Sequence, residues 1–341
     1  MSALTVAGRT EVIIGDGLPA EPLPESDGRT KVALITQPAA TSIALEIAAK
    51  VGGRVVSTEV IGLPDREEAK TLDVAASVYD ALARFGLARH DTVVGVGGGT
   101  VTDLAGFVAG TWLRGVEVVH FPTTLLGAVD ASIGGKAGVN LGGKNLVGVF
   151  WHPSRVVIDL SQLRALPTFL IREGMAEVYK VGLLGDRTLV DSIGVHGIAA
   201  PLEDIVERAI RVKAAHVDAD EKESGVRAHL NFGHTIGHGI EYASALSHGE
   251  SVGLGMIAAS AISEKLLGFS HVDAVRATIE RMGLPTRAEG LDLTRVLDLM
   301  ARDKKRDAGG LRMVLLEDIE SPVIRHVDQI DVEHGLAAIG F

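Results

Sequence analysis

The chain contains no cysteine. That excludes disulfides, a thiolate nucleophile and any cysteine-based zinc site, and it fits a reducing compartment. Positive charge is also short: 33 Lys and Arg stand against 44 Asp and Glu, a net charge of -11. Nothing spreads a basic surface for a phosphate backbone, so nucleic acid is not an expected partner. The acidic balance serves solubility instead. No apolar run reaches the ~18 residues that a membrane span needs, so no membrane partner is expected. The first residues, MSALTVAGRTEVIIGDGL, lack a basic stretch followed by a long apolar run. No leader peptide is read there, and a cytoplasmic protein is expected.

What is present is an ordinary globular composition, 46% apolar and 23% charged, over 341 residues. That length predicts two domains. Apolar runs such as KVALIT (31–36) alternate with helical patterns such as Val74 to Phe85, which Gly86 ends. The alternation continues to VVIDL (156–160) and predicts a mostly parallel sheet covered by helices. After Ser161 helical periods dominate, with one late strand expected at Arg312 to Leu316. The expected architecture is an α/β nucleotide-binding domain over 1–160, then an all-α, metal- and substrate-binding domain over 161–341. The active site is expected in the cleft between them.

The stretch from Asp91 to Asn145 organises the first domain. The strand around Val93, Val94 and Val96 runs into Gly97-Gly98-Gly99, and a second ends in Pro122-Thr123-Thr124. A strand that ends in glycines and opens a helix lets backbone N–H groups approach a pyrophosphate. The spacing is not GxGxxG, because Thr100 and Thr102 stand where the third glycine would fall, and Asp103 follows within a few residues. The reading is a nucleotide-phosphate loop of a non-Rossmann kind.

In the second half, His234 and His238 stand at i and i+4 on one helix face, His248 follows ten residues later, and Glu177 lies on an earlier helix. Catalytic zinc takes three ligands from such residues and keeps one position open. Spacing leaves open whether His234 or His238 is the ligand, and the absence of HExxH argues against a metalloprotease. Among the cations, Arg114, Lys136, Lys144, Lys180, Lys213, Arg227 and the pair Lys304-Lys305 stand within apolar or glycine-rich stretches. Lys136 and Arg227 fit anion clamps, suited to a small substrate with a phosphate and a carboxylate.

Taken together, GGGTVTD (97–103), FPTTLLGAVDASIGGK (121–136), GMAEVYK (174–180), LNFGHTIGHGIE (230–241) and HGE (248–250) resemble the 3-dehydroquinate synthase family of the sugar-phosphate cyclases. The resemblance runs from about Pro64 to Leu316. It implies an NAD- and Zn2+- or Co2+-dependent lyase of the shikimate pathway. Such an enzyme converts 3-deoxy-D-arabino-heptulosonate 7-phosphate into 3-dehydroquinate and phosphate. It implies Glu177, His234 and His248 as metal ligands, with His238 near the substrate phosphate. NAD would contact Asp65, Glu67, Lys70, Gly98, Gly99, Asp103, Thr123, Thr124, Lys136, Lys144, Gln162 and Ala165. Asp130, Lys136, Asn145, Lys180, Lys213, Arg227, Asn231 and one of Lys304 or Lys305 would line the substrate site. Arg114 matches an arginine that reaches the neighbouring subunit's phosphate site, which implies a homodimer. The chain departs from the family pattern at Arg66, where glycine is usual, at Ala137 for Thr, at Tyr179 for an aliphatic residue, and in a shorter loop before Lys144.

Three alternatives remain at this stage. One is a sibling cyclase, such as an aminodehydroquinate or 2-epi-5-epi-valiolone synthase. Another is a polyol dehydrogenase with net NADH production. The last is a non-catalytic protein that kept the fold. Lys213, Arg227, Asn231 and the Lys304-Lys305 pair favour a carboxylate-bearing substrate.

Overall fold

The computed structural model describes residues 1–302, 306–307 and 310–341. Lys304 and Lys305 lie outside the described residues. The chain forms two compact units, Met1–Leu166 and Pro167–Phe341.

The first unit is an open, twisted α/β sheet. Its elements are β1 (Ser2–Val6), β2 (Thr10–Gly15), β3 (Lys31–Thr36), α1 (Thr41–Gly52), β4 (Ser57–Gly62), α2 (Leu72–Phe85), β5 (Thr92–Gly97), α3 (Gly99–Thr111), β6 (Glu117–Pro122), β7 (Lys136–Val139), β8 (Val147–Phe150), β9 (Arg155–Asp159) and α4 (Leu160–Arg164). Seven strands pair in the order β1-β2-β9-β6-β5-β3-β4. All neighbours are parallel except the antiparallel pair β1–β2 at one edge. The central strands carry apolar residues on both faces, as a sheet covered on both sides demands. On β3, Ala33 and Ile35 pack under α2 and α3, while Val32 and Leu34 pack under α1. Full burial of each of Val32, Leu34 and Ile35 contributes roughly 1.5–3 kcal/mol. The Thr71 hydroxyl caps the start of α2, and Gly86 closes its end at φ 71°. β7 and β8 form a separate antiparallel ribbon.

The second unit is helical: α5 (Thr168–Gly185), α6 (Arg187–His196), α7 (Leu202–Ala219), α8 (His234–Ala243), α9 (His248–Leu267), α10 (Val272–Arg281), α11 (Leu293–Arg302) and, after β10 (Arg306–Asp307), β11 (Gly310–Asp318) and β12 (Ser321–Val327), α12 (Gln329–Ala338). α9 is its axis, buried along almost every residue from Gly249 to Ser263. It packs against α8, α5 and α12.

The all-α expectation needs one correction. The single late strand is the middle of a three-stranded antiparallel sheet, β10-β11-β12. Pro322 disguised β12, because proline has no N–H for a ladder, yet an edge strand tolerates it. α6 and α12 also escaped the periodicity reading. α6 buries only Leu189, Val190 and Ile193, and Gly335 interrupts α12 where its backbone closely approaches Ala258 of α9.

Candidate active site

In the first unit, β5 delivers Gly98 to the start of α3, where it serves as N-cap in an extended conformation. The first-turn N–H groups precede the helix's own hydrogen-bond ladder and point outward. Small residues keep the cradle open. A Cβ on Gly98 would come within 3.3 Å of the Thr124 side chain, and one on Gly99 within 3.2 Å of Ala131. Thr123 N donates to the Gly97 carbonyl and Gly127 N to the Thr124 hydroxyl, which fixes the second loop beside the first. Beyond it a π-turn, Gly127–Ala131, carries Asp130.

Lys70 is the hub of the adjoining network. Its buried ammonium donates to Asp103 at 2.6 Å and to Asn145 at 2.5 Å, with Glu67 at 3.9 Å. Burial pushes the Asp103 carboxyl up, Lys70 pulls it back, and the nearby charges of Asp130 and Glu67 push it up further. So Glu67, Lys70, Asp103, Asp130 and Asn145 are brought together. Asp65 is not; it is exposed and faces Arg66 at 3.8 Å. Lys136 and Lys144 stand exposed on or beside the β7–β8 ribbon, while Gln162 and Ala165 lie at α4. Arg114 is exposed beyond the far end of α3.

Asn140 went unrecognised in the sequence. Its Nδ2 donates to Glu67 at 2.9 Å, its Oδ1 accepts from Asn145 N at 2.9 Å, and its own N donates to the Lys70 carbonyl at 2.8 Å. It joins Glu67 and Lys70, which the resemblance assigns to NAD, to Asn145, which it assigns to the substrate. Its place at the end of β7, before a Gly-rich turn, was the available signal.

In the second unit, α5 presents Glu177 and, one turn on, Lys180; both are almost wholly buried and ion-paired. The Nε2 atoms of His234 and His248 each lie 3.4 Å from Glu177 Oε1, an oxygen that accepts no hydrogen bond of ordinary geometry. Ligand atoms of these three residues lie within 4.8 Å of one another. The His234 Nδ1 lies 3.2 Å from the Phe232 carbonyl. Donation there leaves the Nε2 lone pair directed at the shared point. Burial alone would raise the Glu177 pKa, but Lys180 and the two imidazoles outweigh it and hold the carboxyl well below its usual range. Burial, with Lys180, holds His234 well below the ordinary histidine value. For His248 burial opposes the charge, yet the Glu177 and Glu241 carboxylates win and push it up to about 10. His238 stands beside the three, its ring 5.1 Å from that of His234.

The cation-bearing residues lie in the same unit. Arg227 and Asn231 occupy a 3-10 turn, Val226–Asn231, and Lys213 lies on α7. Arg227 is 1% exposed and Lys213 6%. Asp220 accepts from Ser224 N, Gly225 N and Arg227 N, so it folds the loop that delivers the guanidinium. Those bonds hold the Asp220 carboxyl down, at about 2, against its desolvation. Asn231 donates to Glu223 at 2.7 Å.

The first unit thus offers backbone N–H groups in a glycine-lined cradle at the start of α3, and the second a Glu177-His234-His248 group able to hold a metal ion. Comparison with known proteins narrows this. The family model "3-dehydroquinate synthase N-terminal" matches residues 60–173, and "3-dehydroquinate synthase C-terminal" matches 174–306. The 3-dehydroquinate synthase of Mycolicibacterium vanbaalenii is 41% identical over 334 residues, covering 94% of this chain and 93% of the relative. Among solved structures, 2-deoxy-scyllo-inosose synthase with carbaglucose-6-phosphate, NAD+ and Co2+ superposes with a TM-score of 0.88, at 26% identity over 98% of each chain. The 2-epi-5-epi-valiolone synthase of Streptomyces hygroscopicus, with NAD+ and Zn2+, gives 0.87 at 27% identity, over 99% of this chain and 98% of that one. The chain belongs to the 3-dehydroquinate synthase family.

Proposed function

We propose that the chain is a 3-dehydroquinate synthase. It converts 3-deoxy-D-arabino-heptulosonate 7-phosphate into 3-dehydroquinate and phosphate, with NAD at the β5–α3 cradle and Zn2+ or Co2+ at Glu177, His234 and His248. The observation that carries this reading is the buried Glu177 carboxylate facing two histidine Nε2 atoms, one turn from buried Lys180. Nitrogen and oxygen donors without thiolate suit either ion.

Bound NAD would take a hydride from the C4 alcohol and later return it, and a metal held by Glu177, His234 and His248 would serve as a Lewis acid toward the substrate. The chain's own residues bind and orient. Arg227, Lys213 and Asn231 hold the carboxylate end, in surroundings where burial makes charge-assisted bonds strong. His238 and Lys136 serve the phosphate, which leaves by elimination with its own oxygen as base. Asp130 and Asn145 orient the sugar, and Lys180 neutralises charge that develops beside Glu177. Holding one conformer then favours ring closure by intramolecular aldol. Asp103, Glu67 and Lys70 fix the cofactor. We also propose that Arg114 serves a second copy in a homodimer.

Phosphate release tests the reading. With NAD+ and Co2+, the heptulosonate phosphate is expected to yield phosphate and dehydroquinate, and sedoheptulose 7-phosphate nothing. Turnover of the second alone would make the chain a sibling cyclase and remove Arg227 and Lys213 from the carboxylate clamp.

A further inference from the structure

We infer that Glu241 is a positioning residue for the metal centre: it fixes His248 from the side opposite Glu177. This rests on the reading of Glu177, His234 and His248 as the metal ligands.

His248 is the first residue of α9, and its two ring nitrogens face different carboxylates. Nε2 lies 3.4 Å from Glu177 Oε1, and Nδ1 lies 3.4 Å from Glu241 Oε2. A neutral imidazole that offers Nε2 to a metal carries its proton on Nδ1, so Glu241 is placed to accept that proton's hydrogen bond. His234 is arranged the same way, with Nε2 toward Glu177 and Nδ1 toward the Phe232 carbonyl. Each ligand imidazole therefore has an acceptor on its back. A carboxylate acceptor orients the ring and raises its basicity.

The fold explains how one helix does both jobs. Glu241 follows His234 by seven residues on α8, two turns along the same face. α8 thus supplies one ligand and the group that orients the next. The Glu241 side chain is 12% exposed, so little water competes for the contact. His238, Glu241 and His248 also lie close enough to form a cation-binding group of their own. Glu177 remains the better ligand because it is buried and lies 3.4 Å from both Nε2 atoms, whereas Glu241 faces the Nδ1 of His248.

The test measures Co2+ affinity by chelator competition on the full chain, together with NAD+ affinity and apoprotein melting. Glu241→Gln and Glu241→Ala are expected to weaken Co2+ binding by roughly 10- to 100-fold. Gln, which keeps an acceptor, is expected to lose less than Ala, while NAD+ affinity and apoprotein melting stay unchanged. Glu177→Ala is expected to abolish binding. Unchanged Co2+ affinity in both Glu241 variants overturns the role. So does a loss of affinity that only parallels a fall in apoprotein melting, which would mark a general structural effect. Abolition by Glu241→Gln with retention in Glu177→Ala reverses the two carboxylates and also overturns it. A parent protein that binds no Co2+ overturns the metal centre itself, a failure separate from that of Glu241.

Discussion

Arg227 is 1% exposed, so under the proposed carboxylate clamp the loss of its guanidinium would leave the substrate anion without a strong, desolvated partner. A hydrogen bond to a charged group is worth about 1.5–3 kcal/mol, so Arg227→Ala should raise KM for the heptulosonate phosphate by roughly 10- to 150-fold. Steady-state kinetics with the heptulosonate phosphate check this; an unchanged KM would remove Arg227 from the clamp. His120, on β6, makes a different prediction. It is buried beside Gly95 and Gly106, its Nδ1 has no hydrogen-bond partner, and burial pushes its pKa down to about 3. The unfolded chain takes up this proton below about pH 6.5, and the folded chain does so only near 3. Its neutral form therefore supports the fold fully above pH 6.5, and that support is lost as pH falls, by about 1.4 kcal/mol per pH unit. His120→Leu should shrink the difference between urea midpoints at pH 7.5 and 5.5; an undiminished difference would place the acid sensitivity elsewhere. At this scale the sequence was informative about residue types and poor about partners. Glu177 and the histidines stood out by chemistry, but which histidine nitrogens meet Glu177 depends on how α5, α8 and α9 pack.

Two backbone features show what elements impose. Arg66 stands where the family pattern has glycine, and it adopts φ 52° all the same. Its side chain is 90% exposed, and Gln37 Nε2 holds the turn by donating to the Pro64 carbonyl at 2.8 Å and the Arg66 carbonyl at 2.7 Å. The left-handed cost is balanced by the extra freedom that glycine gives the unfolded chain, so Arg66→Gly should change stability by less than about 1 kcal/mol. NAD+ affinity, measured by calorimetry, should not move. Asn140→Ala should instead weaken NAD+ by about tenfold, because one side chain ties Glu67 to Asn145. Calorimetry again decides, and unchanged affinity would make the bridge incidental. The α8–α9 crossing is less tolerant. A Cβ at Gly255 would sit 2.0 Å from the Gly233 carbonyl oxygen and 2.8 Å from Gly237 N. Backbone cannot step aside as a flexible side chain does, so Gly255→Ala should cost about 3 kcal/mol or more. The sequence could not show this contact, because a glycine inside a helical pattern looks the same whether it faces water or another backbone.

For the whole molecule, strand–helix alternation was enough to expect a parallel α/β unit followed by a helical one. Of the β10–β12 sheet only the middle strand was legible; its edge strands, one of them with a proline, carry little periodic signal. Two measurements on the intact enzyme follow from the proposed function. No net NADH absorbance should accumulate during turnover, and sedimentation should give twice the chain mass. Accumulating NADH would indicate a dehydrogenase, and a monomer would remove the role given to Arg114. One further consequence comes from the close approach at Gly255. His234 opens α8 and His248 opens α9, so the gap between these helices sets the distance between the two imidazoles. Crowding at Gly255, two turns into α9 and against the residue before His234, would then disturb the spacing of the two imidazoles as well as the stability of the fold. A heat-sensitive Gly255 variant should be rescued in part by excess zinc or cobalt, whereas a variant that lacks a ligand side chain should not be.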